Sequence, residues 1–272
     1  MAVSNFIPAV WSAALLERFS SASTIIPTLN RQYEGELRSG NSVKVTAITT
    51  PSVQNYATSR SLTIEALSDS TQSLLIDKEE AIAFKVDDVD RTQAAGSFEP
   101  VTADAGAALT ESAEAAVITA LKANGTSAGT TAIANYDAAF AAVGKIRTAL
   151  SKAKVPMSMR YLAVSPEFAE LLLGSSSALT RVDASGNDAG LSNGVIGRLL
   201  GFTVIEHPLL THTSNRPAAI GYHGGSVAFV GQIDKVEAGR MENAFADYVR
   251  ALHVYGTKVL RPAAVQTFLP AA

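Results

Sequence analysis

Alternating apolar and polar residues predict a β-hairpin between Ser42 and Ser70. The apolar residues of its two predicted arms are Val43, Val45, Ala47, Leu62, Ile64 and Ala66. The centre of the stretch is polar and contains Arg60. An isolated hairpin is only marginally stable in water, and nothing in the stretch itself covers it. The pattern therefore raises the question of what buries the hairpin.

Helical periodicity recurs in four places along the chain. Residues 7–22 predict a short amphipathic helix, and residues 100–124 predict a longer one lined by small residues. Asn135 is placed to cap a third helix, because a side-chain oxygen there satisfies free amides of the first turn. Ser165 caps a fourth, with Pro166 in its first turn.

Strand patterns fill much of the remaining sequence. We expect loops at residues 126–134 and 174–194, and a helical turn followed by a strand at 195–208. The segments predicted as strands are 74–76, 82–86, 159–165, 218–224, 235–241 and 247–262. Helices and strands are interspersed without a repeat or an interdomain linker, which predicts an α+β fold.

Composition limits the classes of function. Charged residues make up 17% of the 272 residues, below the roughly 25% usual in soluble domains, so partners are expected to cover part of the surface. The net charge is −3 without a basic run, which argues against tight nucleic-acid binding. There is no cysteine, and we recognise no signal peptide or membrane-spanning run.

The search for catalytic and metal-binding patterns is negative. The four histidines include His207 and His212, whose spacing across Pro208 does not form a metal motif, so they are interpreted as ordinary core or surface residues. The stretch from Asp183 departs from a calcium loop at its turn glycine and its final glutamate. The sequence therefore predicts no catalytic residue, metal site or cofactor, although an α+β enzyme of unknown chemistry stays open as an alternative.

Four segments, in this order, resemble the major capsid proteins of tailed bacteriophages that share the HK97-type fold. They are FIPAVWSAALLERF from Phe6, LLIDKEEAIAFKVDDVD from Leu74, IGRLLGFTVIEHPLL from Ile196 and DYVRALHVYGTKVLRPAAV from Asp247. The resemblance covers nearly the whole chain. It implies a structural protein that self-assembles into the icosahedral shell around phage double-stranded DNA. An encapsulin-like compartment, which shares this fold, is the alternative.

The resemblance also implies a domain layout. The expected N-terminal arm is 1–35, the extended loop is 36–76, and the axial domain is 135–246. The peripheral domain would combine 77–134 and 247–272, with a spine helix near 100–124.

The extended loop in this family lies over a neighbouring subunit, which would explain the uncovered hairpin. The residues expected to contact other subunits are Val43, Val45, Arg60, Leu62 and Ile64 in the loop, and Trp11, Leu15 and Phe19 in the arm. Expected partners are copies of the chain in pentamers and hexamers, a separate scaffolding protein, a portal and a decoration protein. Contact with packaged DNA is expected to be weak, with no membrane contact. Assembly is expected in the host bacterial cytoplasm and the final location in the virion.

Overall fold

Two sheets, a separate β-hairpin and three helices make up the described part of the chain. The computed structural model describes residues 23–34, 42–48, 51–56, 60, 64–66, 69–88, 99–173, 195–212, 214 and 216–270. The helices are α1 (Glu99–Asn124), α2 (Tyr136–Lys152) and α3 (Pro166–Leu172). The strands are β1 (Ser42–Ile48), β2 (Asp69–Leu75), β3 (Lys78–Asp87), β4 (Thr126–Gly129), β5 (Arg160–Val164), β6 (Val195–Leu199), β7 (Phe202–Glu206), β8 (Ala219–His223), β9 (Val227–Arg240), β10 (Ala246–Val259) and β11 (Val265–Phe268).

The predicted hairpin exists, but its return arm is not the predicted one. Strand β1 pairs antiparallel with β2, from Ser42 opposite Leu75 to Ile48 opposite Asp69. Residues 64–66 lie outside any strand, so the pairing of Val43 and its neighbours with residues 62–66 was wrong. The observed register places Val43 opposite Leu74, and both side chains then pack on the body of the subunit. Tertiary packing therefore selects this register over the one that local alternation favoured.

A three-stranded antiparallel sheet in the order β3-β10-β9 carries helix α1 on one face. Leu109 of the helix packs on Ala251 of β10, with Ile82 and Val236 around them. Small residues on the helix allow this close approach. The helix predicted at 100–124 is confirmed. Strand β9 lies within the range expected for the axial domain but pairs along its length with β10.

A six-stranded mixed sheet, in the order β4-β11-β8-β5-β7-β6, forms the second layer. Helices α2 and α3 pack on it through an apolar cluster that includes Phe168 and Phe202. The predicted caps are confirmed: the Asn135 side chain accepts from the Ala138 amide, and Ser165 accepts from the Phe168 amide.

Two segments of this sheet were not predicted as strands. Residues 126–129, expected in a loop, form β4, which pairs parallel with β11 at the sheet edge. Residues 195–199, expected as a helical turn, form β6 and pair with β7. Leu200 and Gly201 have φ of 49° and 87°, so a two-residue turn with left-handed residues joins these strands. Leucine is uncommon in a left-handed turn position, so the sequence pattern did not indicate this hairpin.

The two layers share a core into which the chain enters near its N-terminal end. Ile25, Ile26 and Leu29 are buried with Val117 of α1 and Tyr222 of β8. The predicted helix at 7–22 and the predicted loop at 174–194 lie outside the described residues.

Candidate subunit interface

The base of the β1–β2 hairpin is buried by the subunit itself. Val43 and Leu74 are 7% and 0% exposed and cluster with Ala228 and Val230 of β9. Val43, which we expected at a contact between subunits, therefore packs within its own subunit. The residue pairs at the base of the hairpin are thus buried without a second copy of the chain. This answers half of the question that the hairpin raised.

Polar contacts and one glycine complete the seat of the hairpin. The Lys258 ammonium donates to the Ser73 carbonyl at 2.7 Å, and the Gln72 amide donates to the Leu260 carbonyl at 3.3 Å. Gly256 of β10 lies so close that a β-carbon there would be 2.2 Å from the Leu75 carbonyl oxygen. Backbone therefore packs directly on backbone at this point, which sets the direction in which the hairpin leaves the body.

The far end of the hairpin has a different surface. Val53 and Ile64 are 102% and 96% exposed, and Tyr56 is also exposed. The Ser52 amide donates to the Glu65 carboxylate at 2.9 Å, which ties the two sides of the tip together. Hydrogen bonds from the Ser52 side chain and backbone lower the pKa of Glu65. The tip thus presents large apolar side chains that nothing in the described part of the subunit covers.

The remaining predicted contact residues fall into two groups. Val45 is half-buried and lines an open groove of about 730 Å³ between the hairpin and the end of α2. Arg60 is exposed and has a φ of 47°, and its amide donates to the Tyr56 carbonyl at 2.9 Å. Leu62 in the loop and Trp11, Leu15 and Phe19 in the arm lie outside the described residues.

A buried carboxylate on the spine helix holds residues 23–25, which belong to the later part of the expected arm. Glu114 of α1 is 4% exposed, and one of its oxygens accepts from the Ser23 hydroxyl at 2.9 Å. The same oxygen accepts from the amides of Thr24 at 2.6 Å and Ile25 at 2.8 Å. Its other oxygen is hydrogen-bonded to Nε2 of His207, which directly follows β7. One side chain thereby joins three parts of the chain.

The electrostatics of this cluster follow from its hydrogen bonds. Burial alone would raise the pKa of Glu114, but the bonds from His207, Ile25 and Thr24 outweigh it and lower the pKa. The Leu209 amide donates to Nδ1 of His207 at 3.2 Å, so the ring carries its proton on Nε2 and donates it to Glu114. The partners of Glu114 lie 89–93 residues away along the chain. From the sequence, His207 was therefore interpreted as an ordinary residue, and Glu114 had no recognisable partner.

A second carboxylate links the spine helix to the three-stranded sheet. Glu80 of β3 accepts from the Ser112 hydroxyl and the Tyr255 hydroxyl, each at 2.8 Å. Burial and the neighbouring Glu80 carboxylate raise the pKa of Tyr255, which therefore stays a hydrogen-bond donor. Burial also lowers the pKa of the adjacent His253 to about 4. These contacts hold the helix and sheet in one orientation.

The described part of the chain has neither a metal-binding cluster nor a membrane-spanning helix. No group of three or more His, Cys, Asp or Glu side chains there is arranged to hold a metal ion. None of its helices combines the length and apolar character required to cross a membrane. The features that distinguish this surface are thus the exposed hairpin tip and the anchored N-terminal segment.

Comparison with known sequences identifies a family. The profile of the family described as phage capsid protein matches residues 70–268. This range includes both sheets, the spine helix and the second strand of the hairpin. Comparison with curated proteins found no significant match.

Comparison with solved structures agrees with the family match. A chain from Mycobacterium phage Che8 is 40% identical, with 90% of each chain covered and a TM-score of 0.80. A chain from the capsid structure of the cyanophage P-SCSP1u is 15% identical, covering 86% of this chain and 84% of that one, with a TM-score of 0.68. A virus-like particle from Pyrococcus furiosus is 14% identical, covering 94% and 96%, with a TM-score of 0.62. At these lower identities the likeness concerns the fold alone.

Proposed function

The chain belongs to the phage capsid protein family, and on this basis we propose that it is the major subunit of an icosahedral shell that encloses phage double-stranded DNA. Its architecture is the HK97-type α+β fold that the sequence resemblance implied. The family match carries this conclusion. An encapsulin-like compartment is not favoured, because the likeness to the Pyrococcus furiosus particle is one of fold.

The proposed role is structural rather than enzymatic. Family membership supports it, and so do the uses of the buried polar groups described above. Glu114 and Glu80 are engaged in hydrogen bonds between elements of the fold. In this role the subunit binds other copies of itself in pentamers and hexamers, and the protein is located in the virion.

The hairpin tip is our candidate for a contact between subunits. Val53 and Ile64 are almost fully exposed in the single subunit. Burying a valine or isoleucine side chain contributes roughly 1.5–3 kcal/mol, although ordering of the tip offsets part of that gain. Each subunit of a closed ring gives one tip and receives another, so a modest contact is repeated around the ring. We place Val45, Arg60, Leu62 and Ile64 at this contact, and Trp11, Leu15 and Phe19 at a contact of the N-terminal arm.

We also propose the domain division that the resemblance implied, with three strands reassigned. The arm is 1–35, the extended loop is 36–76, and the axial domain begins at 135. Because β9 pairs with β10, we assign Val227–Arg240 to the peripheral domain with most of 77–134 and most of 247–272. Strands β4 and β11 go with the axial sheet, since β11 pairs with both β4 and β8.

The remaining partners follow from the family rather than from a surface of this chain. We expect a scaffolding protein, a portal and a decoration protein, with assembly in the bacterial cytoplasm. Contact with DNA would be weak and unspecific, because the net charge is −3.

Sedimentation and negative-stain electron microscopy of the purified protein test the proposal. Shells or capsomers of five or six chains are expected, and a stable monomer at high concentration would contradict it. A Leu62→Asp, Ile64→Asp variant should stay folded by circular dichroism but fail to form shells. The matched control Leu62→Val, Ile64→Val keeps the apolar contact and should assemble. Global unfolding of the Asp variant would place the tip in the subunit's core, and normal shells would place it in solvent.

A further inference from the structure

Residues 23–25, in the later part of the expected N-terminal arm, are attached to the body by several hydrogen bonds to one side chain. Three donors in three consecutive residues, Ser23, Thr24 and Ile25, converge on one oxygen of Glu114. Ile25 and the residue after it, Ile26, are buried in the core. The position of residues 23–25 on the subunit is therefore defined by one carboxylate.

The carboxylate is itself held in a defined position. Glu114 belongs to α1, whose neighbouring residues Ala113 and Val117 are fully buried. On its far side His207 donates to it, and the His207 ring is oriented in turn by the Leu209 amide. Donors aimed from both sides leave the Glu114 side chain little freedom to turn. Hydrogen bonds to a carboxylate are about twice as strong as neutral ones, so the arrangement depends on the negative charge.

We propose that Glu114 is the positioning residue of the N-terminal arm: it fixes residues 23–25 of the arm on the body of the subunit, and shell assembly depends on this attachment. The proposal rests on the proposed function, in which the arm contacts other subunits. It adds a residue outside the arm that determines whether the arm can reach that contact. The groups that face Glu114 are His207, which directly follows β7, Tyr222 from β8 and the segment at Ser23.

Hydrogen exchange of the full-length unassembled subunit tests the anchor directly. Glu114→Gln removes the negative charge. The glutamine side chain has one oxygen that can accept hydrogen bonds, and its NH2 group then faces another hydrogen-bond donor. We expect the amides of Thr24 and Ile25 to exchange roughly tenfold faster or more, the change typical of losing a hydrogen bond to a charged group. Amides of the central strands should be unchanged. Glu111→Gln is the control, since Glu111 is an exposed residue of the same helix.

A pH profile separates an anchor from a purely structural residue. In the wild type, exchange at Thr24 and Ile25, corrected for its intrinsic rate, should rise as acid protonates Glu114. In Glu114→Gln the corrected rate should not change in that range. If Glu114→Gln does not fold, Ser23→Ala removes one donor at the edge of the cluster and should give a smaller change of the same kind. Unchanged protection in these variants, or loss of protection throughout the subunit, would overturn the proposal.

The last test of the proposal measures shell assembly of the variants. Glu114→Gln should form fewer shells than the wild type by sedimentation, and Glu111→Gln should match the wild type. Trp11→Asp with Leu15→Asp tests the arm contact separately. If that arm variant fails to assemble while Glu114→Gln assembles normally, the arm contact stands and the anchor is refuted. If the arm variant assembles normally, the arm contact in the proposed function is refuted, whatever exchange at Thr24 shows.

Discussion

Replacing Gly256 by alanine should disturb the seat of the hairpin without altering the surface of its tip. The added β-carbon would lie 2.2 Å from the Leu75 carbonyl oxygen and 3.0 Å from the Ile76 α-carbon. Both are backbone atoms, so no side-chain rotation relieves the overlap. Ordinary contacts between non-bonded heavy atoms lie at about 3.5 Å, so β2 would have to move by about 1 Å.

The size of the effect follows from this displacement. Inserting a methyl group into a packed site costs typically about 1–3 kcal/mol. For a chain of this size, each kcal/mol lowers the melting temperature by roughly 2–4 °C. We therefore expect Gly256→Ala to melt roughly 2–12 °C below the wild type by scanning calorimetry of the unassembled subunit. It should also assemble less well, because the base sets the direction of the hairpin.

Gly144→Ala is the matched control. Gly144 lies within α2, and a β-carbon there would meet nothing within 4 Å. Alanine in a helix interior is favoured over glycine by about 0.5–1 kcal/mol, so this variant should melt at or above the wild-type temperature. If Gly256→Ala melts and assembles like Gly144→Ala, the hairpin is not seated on β10 in the way described.

Two further predictions concern local stability and pH. Asn135→Ala should destabilise the subunit by about 0.5–2 kcal/mol in urea unfolding, because the Ala138 amide loses its cap, while Lys152→Ala at the other end of α2 should have little effect. Glu114 has a lowered pKa in the folded state, so its stabilising contribution is fully present above the unfolded pKa of about 4.3 and is lost as pH falls through the folded value. Glu114→Gln should therefore unfold more easily than the wild type at neutral pH, and urea titrations should show the difference shrinking in acid; a difference independent of pH would contradict this account.

The sequence by itself determined the elements whose signals are local. Asn135 and Ser165 cap helices through amides only three residues ahead, so capping chemistry alone located the starts of α2 and α3. The small-residue stripe and Pro100 were sufficient to predict α1. The order of four segments was sufficient to indicate the family and hence the fold.

Only the tertiary structure decided which distant elements meet. Val43 could pair with either of two apolar arms, and packing on Ala228 and Val230 selected the arm that carries Leu74. The segment at 126–129 has no strand pattern of its own and becomes a strand because β11 offers it an edge. Glu114 gathers donors from residues 23–25 and from His207, about ninety residues away on either side. Such contacts leave no periodic trace in the sequence, because their free energy comes from burial and hydrogen bonding that exist only after the layers have packed.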